Sequence, residues 1–297
     1  MMKKIVITGA TGNLGSSVVQ FLKQKNNMTS IAVLVRDKYS EAAKRYANDG
    51  IEVRVGDYDD FDSLATAFKG IEVLYFVSAS DINQRIPQHK NVVRAAKKTG
   101  VQHIVYTSTV RKDEQETAPL HLVVNAHKIT EDLITTSGMA YTILRHNLYA
   151  EVIGMFIGDK KQLLQTKAIY LPTGTGRTAF VPREDLAEAE ANILLNPDAY
   201  INTTLAFNGS EKMSFSEIAE ILTGIVQVPI QYSSPDVTAF RIKMAEIGLP
   251  SAIIAMLNMF SLGIANGEFD QQTDDLETVL GRKTQSLVSF LKDTYTS

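Results

Sequence analysis

The chain has 297 residues, a formal net charge of −3, 44% hydrophobic and 21% charged residues, and neither cysteine nor tryptophan. Without cysteine there are no disulfides, thiolate zinc sites, iron–sulfur clusters or cysteine nucleophile, and the five histidines (His89, His103, His121, His127, His146) show no metal-ligand spacing, so no metal is expected. The near-neutral charge and ample apolar content exclude a disordered chain and a nucleic-acid footprint.

Along the first half, short apolar runs rich in β-branched residues alternate with amphipathic stretches: IVIT (5–8), SIAVLV (30–35), IEVRV (51–55), IEVLYFV (71–77), VQHIVYT (101–107) and AYTIL (140–144). Runs apolar almost throughout are how strands covered on both faces read. Between them, Leu14, Val18, Phe21 and Leu22 share one helix face, and Ile86, Val92, Val93 and Ala96 another. Gly50, Gly70, Gly100 and Gly138 each follow a helical stretch and precede a strand run, where a helix ends in a left-handed residue. Four repeats of helix, glycine and strand predict βαβ units and a doubly wound parallel α/β sheet of the Rossmann type.

From about Tyr149 the pattern loosens. One helix is expected over 149–166, then a glycine-rich turn with Arg177 leading into a short strand (171–181), and a helix over Arg183–Leu195 with Asp185 in its first turn. A returning strand is read at TTLAF (203–207). Ser214-Phe215-Ser216-Glu217 is a capping box opening a helix with Phe215, Ile218, Ala219 and Leu222 on one face, and two or three more helices follow. These late helices carry Met244, Met256, Met259 and Phe260, read as a core stripe or as the lining of a flexible apolar pocket. The length fits about two domains at roughly 150 residues each. The expected division is a Rossmann core over 1–148, with 178–208 returning to it, and a smaller, mainly helical substrate lobe from 149–177 and 209–297, set over the carboxyl ends of the strands. The first residues, MMKKIVITGATG, lack the apolar core of a signal peptide. Leu249–Ala265 is broken by Pro250, Asn258 and Gly263 and is too short to span a bilayer. The expectation is a cytoplasmic protein with no membrane or nucleic-acid partner, and with a homodimer allowed.

TGATGNLG, Thr8 to Gly15, lies between the first strand and the first helix. Gly9 suits a tight turn, Gly12 lets a pyrophosphate approach the backbone, and Gly15 lets helix and strand pack closely; the anion then meets free N–H groups at the helix start. NAD-binding proteins place an Asp or Glu about 20 residues further on for the ribose 2′-hydroxyl. Here Arg36 stands 21 residues after Gly15, and a guanidinium suits a 2′-phosphate. NADP(H) is therefore preferred, with NAD(H) kept open because Asp37 would take the carboxylate role if the strand end shifts by one.

TGATGNLG, VRD (35–37), VGDYDD (55–60), PQHKNVVRAAKKTGVQHIVYTS (87–108) and SGMAYTILRHNLYAE (137–151) resemble the NmrA-like atypical short-chain dehydrogenases, and within them the bacterial NAD(P)H:quinone oxidoreductases. FNGSEKMSFSEIA (207–219) and GEFDQQTDDL…LGRKT (267–284) extend the likeness over most of the chain. The resemblance implies that Thr11, Asn13 and Leu14 line the pyrophosphate, Arg36 the 2′-phosphate, and Asp57 and Tyr58 the adenine. It also implies that Val77, Ser78 and Ala79 run beside the ribose nearer the nicotinamide, that Thr107 and Ser108 approach the nicotinamide, and that His146 and Asn147 begin the substrate pocket.

The wider superfamily resembles itself in a Tyr-x-x-x-Lys pair after the fifth strand. Registering on SGMAYTIL puts Val123 at the tyrosine and His127 at the lysine; a one-residue slip puts Val124 and Lys128 there. The tyrosine is missing in either register, which disfavours nucleotide-sugar epimerisation or dehydration. Quinone reduction tolerates the loss, because a resonance-stabilised hydroquinone anion takes its proton from a weak acid. His127 is a candidate for that role, or for holding ribose or substrate oxygen, and Tyr149 is the nearby phenol that could replace the acid. The expected function is hydride transfer from NADPH to a quinone or similar small electrophile; the alternative is an NADP(H)-binding redox sensor without catalysis.

Overall fold

The computed structural model describes residues 3–25 and 30–296. They fold as two compact units. The first comprises Met1–Thr109, Leu122–Arg145 and Glu184–Leu205, the second Val110–His121, His146–Arg183 and Ala206–Ser297.

The first unit alternates strand and helix: β1 (Ile5–Ile7), α1 (Asn13–Lys25), β2 (Ile31–Val35), α2 (Glu41–Asn48), β3 (Glu52–Val55), α3 (Phe61–Ala67), β4 (Val73–Phe76), α4 (Arg85–Thr99), β5 (His103–Thr109), α5 (His121–Thr135) and β6 (Ala140–His146). All six strand runs read from the sequence form strands. Every residue of β1, β2 and β4 is buried, as expected of strands covered on both faces; β3, at the sheet edge, is not. Each such Val, Leu or Ile contributes about 1.5–3 kcal/mol of transfer free energy. On one face Val6, Leu34, Leu74, Phe76 and Tyr106 pack with Leu64 and Phe68 near α3, Val92 and Ala96 of α4 and Ile134 of α5.

Gly50, Gly70, Gly100 and Gly138 have φ of 77°, 70°, 79° and 85°. They are the left-handed ends the sequence predicts, and they punctuate the βαβ units.

Further along come α6 (Ile153–Ile157), α7 (Lys160–Thr166), β7 (Ala168–Tyr170), β8 (Arg177–Thr178), α8 (Arg183–Leu195) and β9 (Thr203–Phe207). The main sheet has the order β3-β2-β1-β4-β5-β6-β9, and its β2–β3, β1–β2, β1–β4 and β4–β5 pairs are parallel. Chain direction across the sheet reverses between β1 and β4. Open α/β sheets bind ligands at the carboxyl ends of the strands beside that switch.

The second unit continues with β10 (Met213–Ser214), α9 (Phe215–Val226), β11 (Gln231–Ser233), α10 (Val237–Glu246), α11 (Ser251–Ala265), α12 (Asp275–Leu280) and α13 (Leu287–Thr296). The helix expected over 149–166 is instead a 3-10 turn and two short helices. Gly158, at φ 82°, ends α6, and the Asp159–Gln162 capping box starts α7 afresh. The capping box at Ser214 and Glu217 forms as read, and Phe215, Ile218, Ala219 and Leu222 are buried. Four helices, rather than two or three, follow α9 among the described residues. No described helix is long and apolar enough to cross a membrane.

Candidate functional site

The loop after β1 is built by its glycines. Gly9 adopts φ 63°, and a Cβ there would lie 2.9 Å from Val77 Cβ. The Gly12 N–H donates to the Gly9 carbonyl (2.9 Å), closing the turn. A Cβ on Gly15 would meet the Gly9 oxygen at 2.4 Å, so α1 can start this close to β1 only without a side chain there. The opening N–H groups of α1 have no partner within the helix and carry the positive end of its dipole. Tyr46 pins the loop from behind, its hydroxyl donating to the Ala10 carbonyl (2.6 Å).

These glycines form one side of a cavity of about 570 Å³, within the 300–1,000 Å³ range of small-molecule sites. Gly9, Thr11, Gly12, Asn13, Leu14, Gly15, Arg36, Asp57, Tyr58, Val77, Ser78 and Ala79 all line it. Twelve residues singled out in the sequence thus meet at one place. Arg36 is exposed at its edge, one residue beyond β2. Asp37 is not among the lining residues; its carboxylate accepts the Tyr39 N–H (2.8 Å) and its carbonyl accepts the Ser40 hydroxyl (2.9 Å), a local turn leading into α2.

Tyr58 lines the cavity, its ring edge-on to Phe76 at 5.6 Å, and its hydroxyl lies 2.5 Å from Thr8 Oγ1 and donates to the Val77 carbonyl (2.9 Å). Burial pushes that phenol well above the usual tyrosine range. The Asp57 carboxylate accepts the Asp59 N–H (3.1 Å).

Thr107 and Ser108 are buried and do not line the cavity. Thr107 Oγ1 accepts the Ser78 N–H (2.9 Å), supporting the wall from behind, and Ser108 donates to Glu131 (2.5 Å).

His127, on α5, is 4% exposed and uses both ring nitrogens. Nε2 lies 3.2 Å from an Arg85 guanidinium nitrogen and Nδ1 2.8 Å from the Tyr106 hydroxyl. Arginine can only donate, so Nε2 is the acceptor, Nδ1 carries the proton, and the ring is neutral. His127 therefore faces the Arg85–Tyr106 network with both nitrogens committed.

Sequence reasoning missed part of the wall. Asp59, Ser80, Asp81, Gln84 and Gln88 also line the cavity, and Gln88 donates to the Asp59 carboxylate (3.1 and 3.0 Å). The available signal was polar residues 84, 85, 88 and 89 at helical spacing around the start of the helix, directly after a strand end that lines the cavity.

In the second unit, His146 and Asn147 are buried. His146 Nδ1 lies 3.1 Å from the Tyr149 hydroxyl, and the Arg183 guanidinium sits 5.1 Å from the Tyr149 ring centre. The Asn147 amide donates to Asn208 (2.7 Å) and to the Phe269 carbonyl (3.0 Å), while its oxygen accepts the Leu148 N–H (2.8 Å). Leu148, Val152, Met155, Phe156, Met256, Leu257 and Phe260 enclose a wholly apolar cavity of about 50 Å³; Met244 and Met259 do not line it. Arg177 is held inside its own unit by the Lys212 carbonyl (2.6 Å) and Glu217 (2.9 Å).

A model of the NmrA-like family matches residues 1–296. Quinone oxidoreductase 2 of Escherichia coli (strain K12) is 31% identical over 283 residues, covering 95% of this chain and 96% of that protein. The crystal structure of the NADPH-dependent quinone oxidoreductase of E. coli complexed with NADPH aligns with a TM-score of 0.89 at 30% identity, over 97% of this chain and 99% of that one. The triphenylmethane reductase of Citrobacter sp. complexed with NADP(H) aligns with a TM-score of 0.88 at 31% identity, over 98% and 99%.

Proposed function

The chain belongs to the NmrA-like family, and on that basis we propose that it is an NADPH-dependent oxidoreductase that reduces a quinone or a similar small electrophile. One observation carries the cofactor half of this reading: the glycine loop, Arg36 and the Val77–Ala79 wall line a single cavity, and Asp37 does not line it. The cradle fits a dinucleotide, because side chains at Gly9 and Gly15 would collide with the surrounding wall and backbone. The α1 N–H groups receive the pyrophosphate, and the Arg36 guanidinium pairs with the 2′-phosphate. Tyr58 offers its ring to the adenine while its hydroxyl holds Val77 in place. When bound, the dinucleotide supplies a hydride from its nicotinamide ring.

The substrate half is supported by the likeness to a quinone oxidoreductase and a triphenylmethane reductase, and by Val123 standing where the superfamily's tyrosine would be. These weigh against a sensor without chemistry and against an epimerase. Hydride addition to a quinone leaves a hydroquinone anion that needs one proton from a weak acid. Tyr149 is that acid in this reading, its hydroxyl beside His146 Nδ1, and Asn147 locks the segment that carries it. His127 serves by position, through Arg85.

Steady-state NADPH oxidation with benzoquinones and naphthoquinones tests the reading. Turnover dependent on the quinone is expected; no turnover across the panel while NADPH binds would refute it. Arg36→Ala should lose about 1.5–3 kcal/mol of NADPH binding, the worth of hydrogen bonds to a charged group, which is about 10- to 150-fold. NADH binding should barely change. Equal binding of both dinucleotides by the unaltered protein would overturn the assignment of Arg36.

A further inference from the structure

We propose that the polar face of α4 sets the geometry of the cofactor cavity, with Arg85 and His89 as positioning residues that grip Ala79 by both of its backbone polar groups. The inference rests on the cofactor reading above and extends it to residues that do not touch the cofactor.

Beyond Phe76 the chain leaves β4, and Val77–Ser80 run along the cavity wall outside the regular ladder. Such a stretch needs other partners for its backbone. The Ala79 N–H donates to His89 Nε2 (2.9 Å), and the Ala79 carbonyl accepts from Arg85 Nε (2.8 Å). Residues 85 and 89 are one helical turn apart, so both side chains reach the same residue. The same helix holds the opposite wall: Gln88 donates to the Asp59 carboxylate, and Asn91 donates to the Tyr58 carbonyl (2.9 Å). One rigid element thus spaces the loops that leave β3 and β4.

The grip is itself fixed from behind. His89 is fully buried, with Phe76 edge-on at 4.8 Å. Its Nδ1 lies 2.8 Å from Thr130 Oγ1, whose proton goes to the Ala126 carbonyl (2.8 Å). Nδ1 therefore donates and Nε2 is left as the acceptor that Ala79 requires. A protonated ring would set N–H against N–H. Arg85 is steadied in turn by the neutral His127, which Tyr106 orients. An apolar helix face could fill this space equally well. A buried guanidinium and imidazole at hydrogen-bond distance from one residue of the cavity wall are explained by the need to hold that wall in register.

The test uses full-length His89→Phe, His89→Gln, Asn91→Ala and, as a destabilising control in the apolar face of α4, Val93→Ala. NADPH affinity, KM for NADPH, KM for the quinone, kcat and melting temperature are measured for each. His89→Phe keeps a ring but removes the acceptor, and should raise the NADPH Kd and KM about tenfold or more while KM for the quinone holds. His89→Gln, which retains an acceptor, should recover most of the affinity. Asn91→Ala, which removes the bond to the Tyr58 carbonyl from outside the cavity lining, should weaken NADPH binding with little change in melting temperature, and it decides the matter if His89→Phe fails to fold. Val93→Ala should lower the melting temperature alone. If the His89 and Asn91 variants behave like Val93→Ala, with NADPH affinity intact, α4 is only a packing element and the proposal is wrong. If the unaltered protein binds no dinucleotide, the cofactor reading falls first and takes this inference with it.

Discussion

Gly15→Ala is the sharpest perturbation of the glycine cradle. The added methyl carbon would stand 2.4 Å from the Gly9 oxygen, 2.7 Å from its carbonyl carbon and 3.0 Å from the Ala10 nitrogen. All three are backbone atoms, so no rotamer change relieves the contact. Restoring ordinary van der Waals separation requires loop and helix start to part by roughly 1 Å, a strain costing about 1–3 kcal/mol on the scale of overpacked sites. If the loop yields, the opening N–H groups of α1 no longer converge on the pyrophosphate position, and NADPH affinity should fall by about 5- to 150-fold at 1.4 kcal/mol per decade. Titration of NADPH against the folded variant measures this, with a thermal melt alongside to separate misfolding from misplacement. A folded Gly15→Ala protein that binds NADPH as the unaltered one does would show that the close approach of α1 to β1 has nothing to do with the cofactor.

Burial holds His89 down to about 3 and His103 down to about 4 from the ordinary 6.5. The unfolded chain therefore binds more protons between those values, and stability is complete above pH 6.5 and lost as pH falls toward 4 and then 3. At pH 5 each group should cost about 2 kcal/mol relative to neutral pH; denaturant melts of His89→Gln should show a shallower acid slope, and identical slopes would contradict the assignment. Ser214→Ala removes the acceptor that caps α9 and should cost about 1 kcal/mol in chemical denaturation, with no loss indicating that the cap is redundant. Tyr149→Phe should lower kcat for quinone reduction about tenfold or more at unchanged NADPH Kd; an unaltered kcat would remove Tyr149 from the chemistry.

Much of the first unit is legible because its signals are local. An apolar run such as IAVLV, or a glycine such as Gly100 between helix and strand, carries its conformation in a few adjacent residues. The glycine loop is equally local, and Gly9, Gly12, Gly15 and Arg36 line one cavity. Thr107 and Ser108 lie within β5, which runs on to Thr109, and their hydroxyls face Ser78 and Glu131 rather than the cavity, a choice set by neighbours distant in sequence. The break at Gly158 is not visible in the sequence because Leu164 stands seven residues after Ile157, a helical spacing that runs across it, and only the backbone conformation of one glycine and the reciprocal bonds of Asp159 and Gln162 end the helix. The α4 network was hidden for a related reason: Arg85, His89, Tyr106 and His127 acquire meaning only when three elements bring them within hydrogen-bond reach.

The turn at Asp37 bears on any attempt to redesign the cofactor preference. A dinucleotide lacking the 2′-phosphate would need a carboxylate for its ribose hydroxyls, and the one next to Arg36 lies outside the cavity lining, with one oxygen accepting the Tyr39 N–H. Deleting the arginine alone would therefore leave a pocket indifferent to both dinucleotides. Gaining NADH would take a second change that brings a carboxylate to the cavity edge, so that the two preferences are separated by the placement of one charge as well as the loss of another.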